Sequence, residues 1–183
     1  MTRSRVKRSS PRVVLALAAV ILAGCLGTTT DSTAPVDIMS PGKWVPLAPM
    51  PTARQEVAVA ELNGRVFVIG GFGAGSEAVP TVAVYDPATD RWETRAPLPA
   101  PTHHAAAAAL PDRIFVFGGE APLRIFSANE MYEVAGNRWI AKVPMPTPRH
   151  GIGAAVIGGR VYVPAGGTQP GFAATAANVV YTS

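Results

Sequence analysis

Three times in this chain a charged residue near a turn leads into a short run of β-branched and aromatic residues that ends in two glycines. The copies are Gly64 to Gly71 (GRVFVIGG), Asp112 to Gly119 (DRIFVFGG) and Gly159 to Gly167 (GRVYVPAGG). The glycine pairs lie 48 residues apart on both steps, and an Ala/Val-rich segment precedes each copy. A fixed period of this length means one supersecondary unit written repeatedly, each copy burying its apolar face against the next.

The tryptophans keep the same beat. Trp44, Trp92 and Trp139 are 48 and 47 residues apart, and each is followed by a proline-rich stretch. Between them each repeat divides into four short strands. The first (Arg54 to Leu62, Thr102 to Leu110, Arg149 to Ile157) is mostly Ala, Val and Gly, as suits an innermost strand where neighbouring sheets crowd together. Asn63-Gly64 and Gly158-Gly159 supply the positive φ of a two-residue hairpin, while Pro111-Asp112 is a weaker turn signal. The second strand is the glycine-pair segment, apolar throughout and therefore covered on both faces. The third carries Tyr85, Tyr132 or Tyr181, and the fourth carries a Trp seven residues after the Tyr in the two complete cases. Trp44 marks a fourth-type strand, Lys43 to Ala48, that precedes the first full repeat.

A double Gly after an apolar strand, then a Tyr and then a Trp, at a period near 48, resembles the kelch repeat. The third copy departs from it by one extra residue at Pro164-Ala165. The resemblance implies an all-β chain of kelch-type β-propeller blades: three four-stranded repeats over residues 43–183, a half-propeller or part of a six-bladed ring. It implies no single chemistry.

Charge and hydropathy locate an address ahead of the repeats. Arg3, Arg5, Lys7, Arg8 and Arg12 are five of the 16 Lys and Arg; the remaining 11 face 12 Asp and Glu. A body so near neutrality has no electrostatic footprint for nucleic acid. The five cations precede an apolar run, Val13 to Ala23, of signal-peptide length. The run ends in Leu22-Ala23-Gly24-Cys25, which resembles the lipobox of bacterial lipoprotein signal peptides. That resemblance implies cleavage after residue 24 and a lipid anchor on Cys25, the only cysteine. Residues 25–42, rich in Thr, Asp, Ser and Pro, read as a flexible tether. The expected location is the cell envelope: the outer membrane or periplasmic face in a Gram-negative cell, the surface in a Gram-positive one.

Strands running alternately up and down place the longer loops, 72–80, 120–125 and 168–175, on one face with the entrances to the innermost strands. Equivalent positions there form rings: Arg54, Thr102 and Arg149 in one, Gln55, His103 and His150 in the other, with His104 beside them. These seven are the candidate ligand residues, and the two Arg suit a carboxylate, a sugar or an acidic peptide group. No metal or cofactor is expected, because His103 and His104, adjacent in a strand, would point to opposite faces.

Binding of a peptide, protein or glycan is the leading function, and no catalytic residue is assigned. The kelch-type copper oxidases need a Cys-linked Tyr, and here the sole Cys is committed to the signal. Sialidase-type Asp boxes are absent. The alternatives are a mutarotase-like sugar-processing enzyme, using His103 or His150 with Glu56 or Glu120, and a relic of a longer propeller. Because three twisted sheets do not close a ring, a homodimer is a further expectation, the Trp44 strand of each copy completing the last blade of the other in a six-bladed ring.

Overall fold

The structure, a computed structural model, describes residues 41–183 apart from Leu123 and Phe172. The signal sequence, Cys25 and all but the last two residues of the tether lie outside the described residues. Val45–Ser183 forms one compact unit, and Trp44 falls in the unit before it.

The described secondary structure is all β. The first sheet contains β1 (Ala58–Leu62), β2 (Arg65–Ile69), β3 (Val82–Asp86) and β4 (Arg91–Arg95), antiparallel in that order. The second contains β5 (Ala106–Leu110) and β6 (Arg113–Phe117), then, beyond a small hairpin of β7 (Glu120–Ala121) and β8 (Arg124–Ile125), β9 (Asn129–Glu133) and β10 (Arg138–Ala141). The third contains β11 (Ala155–Ile157), β12 (Arg160–Pro164) and β13 (Asn178–Tyr181). These are successive blades of one architecture.

Small residues are the reason the blades can stack. Along β1, Ala58, Ala60 and Leu62 are buried while Val59 and Glu61 are exposed, and β5 and β11 follow it as the innermost strands, each packed on its neighbour. Two apolar cores result. One joins β1, β2 and β3 to Ile114, Val116 and Tyr132 of the second blade. The other joins Phe115, Phe117 and Met131 to Val161 and Val163 of the third. Phe115 is fully buried, a contribution of about 2 to 3 kcal/mol from a ring of that size.

The aromatic pair is an inter-repeat stitch. Trp92 Nε1 donates to the carbonyl of Ala48 at 2.9 Å, and the Ala48 amide donates back to Asp90, whose carboxylate also accepts from the Tyr85 hydroxyl at 2.6 Å. Trp139, Ala96, Asn137 and Tyr132 repeat the arrangement one blade on. The bond to Asp90 pushes the Tyr85 hydroxyl up to about 12 and holds Asp90 below its usual carboxylate range.

Two expectations change here. Lys43 to Ala48 forms no strand, and Trp44 is fully exposed; strands need a ladder partner, and among the described residues β13 pairs only with β12. The extra residue in the third copy also disappears. The amides of Gly70 and Gly118 donate to Thr81 and Ala128, and the equivalent bond in the third blade comes from Ala165, to Ala177. Ala165 takes a φ of 55° and Gly166 one of 101°, matching 62° and 97° at Gly70 and Gly71. The structural pair is therefore Ala165-Gly166, and the spacing becomes the 48 and 47 of the tryptophans. A side chain at Gly118 would run into the carbonyl of Arg149 and the Met145 side chain, so this junction needs its glycine.

Candidate functional site

The ring positions do not do what their residue types suggest. Arg149 is 1% exposed, and its Nη1 donates to the carbonyls of Val163 (3.2 Å), Ala165 (2.6 Å) and Ala177 (3.3 Å). Arg54 Nη1 makes the same three bonds, to Val68, Gly70 and Thr81, at 3.3, 3.0 and 2.9 Å. In both, Nη2 meets the sulfur of the methionine four residues back, Met50 or Met145. Each guanidinium thus clamps the end of a blade's second strand to the start of its third. Burial pulls both Arg below their ordinary pKa. Neither presents its Nη1 to a ligand, which removes the cationic ring expected for an acidic partner. The third ring member, Thr102, is also buried, its hydroxyl 3.3 Å from the carbonyl of Glu120.

The second ring does face the loops. His103 and His150 sit in short backbone bridges to Glu120 and Gly167, as the exposed Gln55 does to Phe72. The next residues, Glu56, His104 and Gly151, all have positive φ, at 55°, 54° and 57°. They form a belt across the blades: the His104 amide donates to the Glu56 carbonyl and the Gly151 amide to the His104 carbonyl. A left-handed residue breaks the alternation of an extended chain. His103 and His104 precede β5 rather than lying in it, so their rings converge instead of pointing apart, with Nδ1 atoms 2.7 Å from each other.

All three histidines of the chain meet there with two carboxylates. His104 Nε2 is 3.1 Å from Glu56 Oε2, and its Nδ1 is 3.1 Å from Glu120 Oε1. His150 Nδ1 is 3.3 Å from the same Glu120 oxygen, and its Nε2 is 2.9 Å from the carbonyl of Gln169. His103 is buried and stacked on Phe72, ring centroids 3.7 Å apart. Burial, then the neighbouring His104, lowers its pKa against the opposing pull of Glu120 and Glu56. Beside the cluster opens a cavity of about 400 Å³, lined by His104, His150, Gly151, Gly166 and Thr175 among others.

Of the seven candidates, His103, His104 and His150 come together; Arg54, Thr102 and Arg149 are structural, and the Gln55 side chain makes no part of the cluster. The arginine clamp was missed in the sequence. Its signal was there: Met and Arg recur four apart in the first and third repeats, and both change together in the second, to Leu98 and Thr102.

Antiparallel blades repeated at this period, two of them four-stranded and stitched by their Tyr and Trp, are consistent with kelch-type β-propeller blades. Comparison with known proteins agrees: residues 53–99 match the Kelch motif. The chain is 35% identical over 74 residues to an F-box/kelch-repeat protein of Arabidopsis thaliana, an alignment covering 38% of this chain and 20% of that protein. It is 43% identical over 56 residues to a Kelch-like protein of Aspergillus terreus, covering 28% and 12%. The chain therefore spans a fifth or less of the curated relatives it matches.

Proposed function

We propose that this chain is a lipid-anchored interaction module of the bacterial cell envelope that binds a peptide, protein or glycan on its loop face. The observation that carries the reading is the convergence of His103, His104 and His150 with Glu56 and Glu120 beside the open cavity. Binding residues concentrate on the long loops of a rigid scaffold. With the arginines committed to backbone, the face mixes imidazole and carboxylate groups. It suits a ligand rich in hydroxyl or amide groups better than a polyanion. The anchor rests on Cys25 at the end of the apolar run: Cys25→Ser should move the protein from the membrane fraction to the soluble one, and unchanged fractionation would remove that half of the reading.

The test of binding is an array of glycans and cell-wall fragments probed with the purified protein. A hit whose affinity falls in His150→Ala but not in Gln55→Ala supports the reading. Hits indifferent to the histidines place the site elsewhere. The alternative, a sugar-processing enzyme, is favoured by the His150–Glu120 approach, an acid and a base 3.3 Å apart beside the cavity that His150 lines. Accelerated interconversion of the α and β anomers of a free sugar, followed by NMR, would decide for it. A second copy of the chain is the proposed partner at the free edge of β13, and light scattering that gives a well-folded monomer at micromolar concentration would overturn it.

A further inference from the structure

We propose that His104 Nδ1, His150 Nδ1 and Glu120 Oε1 bind one divalent first-row transition-metal ion, of which zinc is the best fit, with a coordination position left open toward the adjoining cavity. The inference concerns the same cluster as the proposed function but does not depend on it.

Neighbouring acceptors fix the ring protons of both histidines. His104 Nε2 faces a Glu56 carboxylate oxygen and His150 Nε2 faces the Gln169 carbonyl; both partners only accept, so each Nε2 carries the hydrogen. A neutral imidazole has one N–H, which leaves both Nδ1 atoms as lone pairs. Both are aimed at the same carboxylate oxygen, from 3.1 and 3.3 Å. His150 Nδ1, on a side chain more than nine-tenths buried, has no hydrogen-bond donor among the described residues. Glu120 is itself only 13% exposed. Three electron pairs converging in a partly dry site repel unless a proton or a cation sits among them. His103 Nδ1, 2.7 Å from His104 Nδ1, can supply a proton to that nitrogen. It lies 3.8 Å from Glu120, too far to donate there, and it leaves His150 unserved.

A metal ion resolves all three contacts. Bonds of about 2.0–2.1 Å in a tetrahedral site put neighbouring ligand atoms about 3.3 Å apart. The two pairs that share Glu120 already stand close to that separation, and a donor atom from each of the three residues lies within 4.8 Å of the other two. Two imidazoles and one carboxylate form the three-ligand set that keeps a position open on zinc. Calcium and magnesium prefer all-oxygen sets. Glu56 and the Gln169 carbonyl act as the outer acceptors that hold each imidazole in its metal-binding tautomer, the usual second layer of such a centre.

The experiment uses the full-length protein, stripped with chelator and dialysed, then titrated with Zn²⁺ by calorimetry and with Co²⁺ by visible absorption. The expected result is one ion per chain, ligand-field bands for Co²⁺, and a rise in Tm with Zn²⁺ that Ca²⁺ and Mg²⁺ do not produce. Glu120→Gln and His150→Ala should each weaken binding about 100-fold or more, and Glu56→Gln, which touches only a tautomer, about 10-fold. Circular dichroism checks that each variant is folded; should His150→Ala not fold, Glu120→Gln and the wild-type Co²⁺ spectrum decide. Failure to retain Zn²⁺, equal binding of Ca²⁺, or undiminished binding in folded Glu120→Gln would each overturn the proposal. Metal retention without glycan binding would keep this inference and sink the binding reading, and the reverse result would do the opposite.

Discussion

The first and third blades and the second blade solve the same problem differently. All three must hold the left-handed junction at the end of their second strand, where carbonyls turn away from the sheet ladder. Blades one and three place a guanidinium under that junction, and one nitrogen satisfies three carbonyls. The second blade has Thr102 at the Arg position and Leu98 at the Met position. What remains is a cavity of about 40 Å³ lined by Leu98, Thr102, Val116, Gly118, Ala128 and Glu130. Val116, Gly118 and Ala128 are the residues whose counterparts accept from the arginines. Glu130 stands where the other blades have Ala83 and Val179, and its Oε2 is buried with no hydrogen-bond partner among the described residues. A blade therefore forms without the clamp. The blade without it is flanked on both sides, and its neighbours' cores hold it.

The largest effect expected from this comparison is at Arg149. Arg149→Ala removes a buried donor from three carbonyls and should cost about 3 to 5 kcal/mol, seen in calorimetry as a fall in Tm of about 10 °C. A change within about 0.5 kcal/mol would mean the clamp is ornamental. Arg54→Ala breaks the same bonds in a half-exposed setting, where water replaces the donor, so a loss of about 1 to 2 kcal/mol is expected. If the two variants cost the same, exposure is not what separates the blades.

Thr102→Arg tests the slot directly. A guanidinium there would meet three carbonyls and the Glu130 carboxylate, and urea unfolding should show a gain of about 1 kcal/mol. A loss would mean the second blade's slot differs in shape from the other two. The smallest effect concerns pH. Burial raises the Glu130 pKa, so the folded chain holds that proton more tightly than the unfolded one. Its share of stability is therefore present below the ordinary Glu range and is lost as pH rises through the raised folded value. Glu130→Gln should flatten that part of a stability-against-pH profile, and Thr102→Arg should reverse its sign by favouring the carboxylate. An unchanged slope in Glu130→Gln would assign the titration to another group.

Legible in the amino-acid order were the period, the strands of the repeats apart from the one expected over Lys43 to Ala48, the hairpin positions and the places of Tyr and Trp. These depend on contacts within one repeat or between adjacent ones, and alternation and turn chemistry report such contacts locally. The alignment of the third copy failed by one residue, because a second glycine, Gly167, follows the functional Ala165-Gly166 pair and letters alone favour Gly-Gly. What the ring residues do follows from contacts between distant segments. An arginine's fate depends on where carbonyls 14 to 28 positions ahead are pointing, which the linear pattern does not contain. The histidines were legible as a set but not as a cluster: a single left-handed φ at His104 turns two adjacent rings toward each other, and Glu56, Glu120 and His150 reach them only because the segments ahead of three innermost strands are hydrogen-bonded side by side.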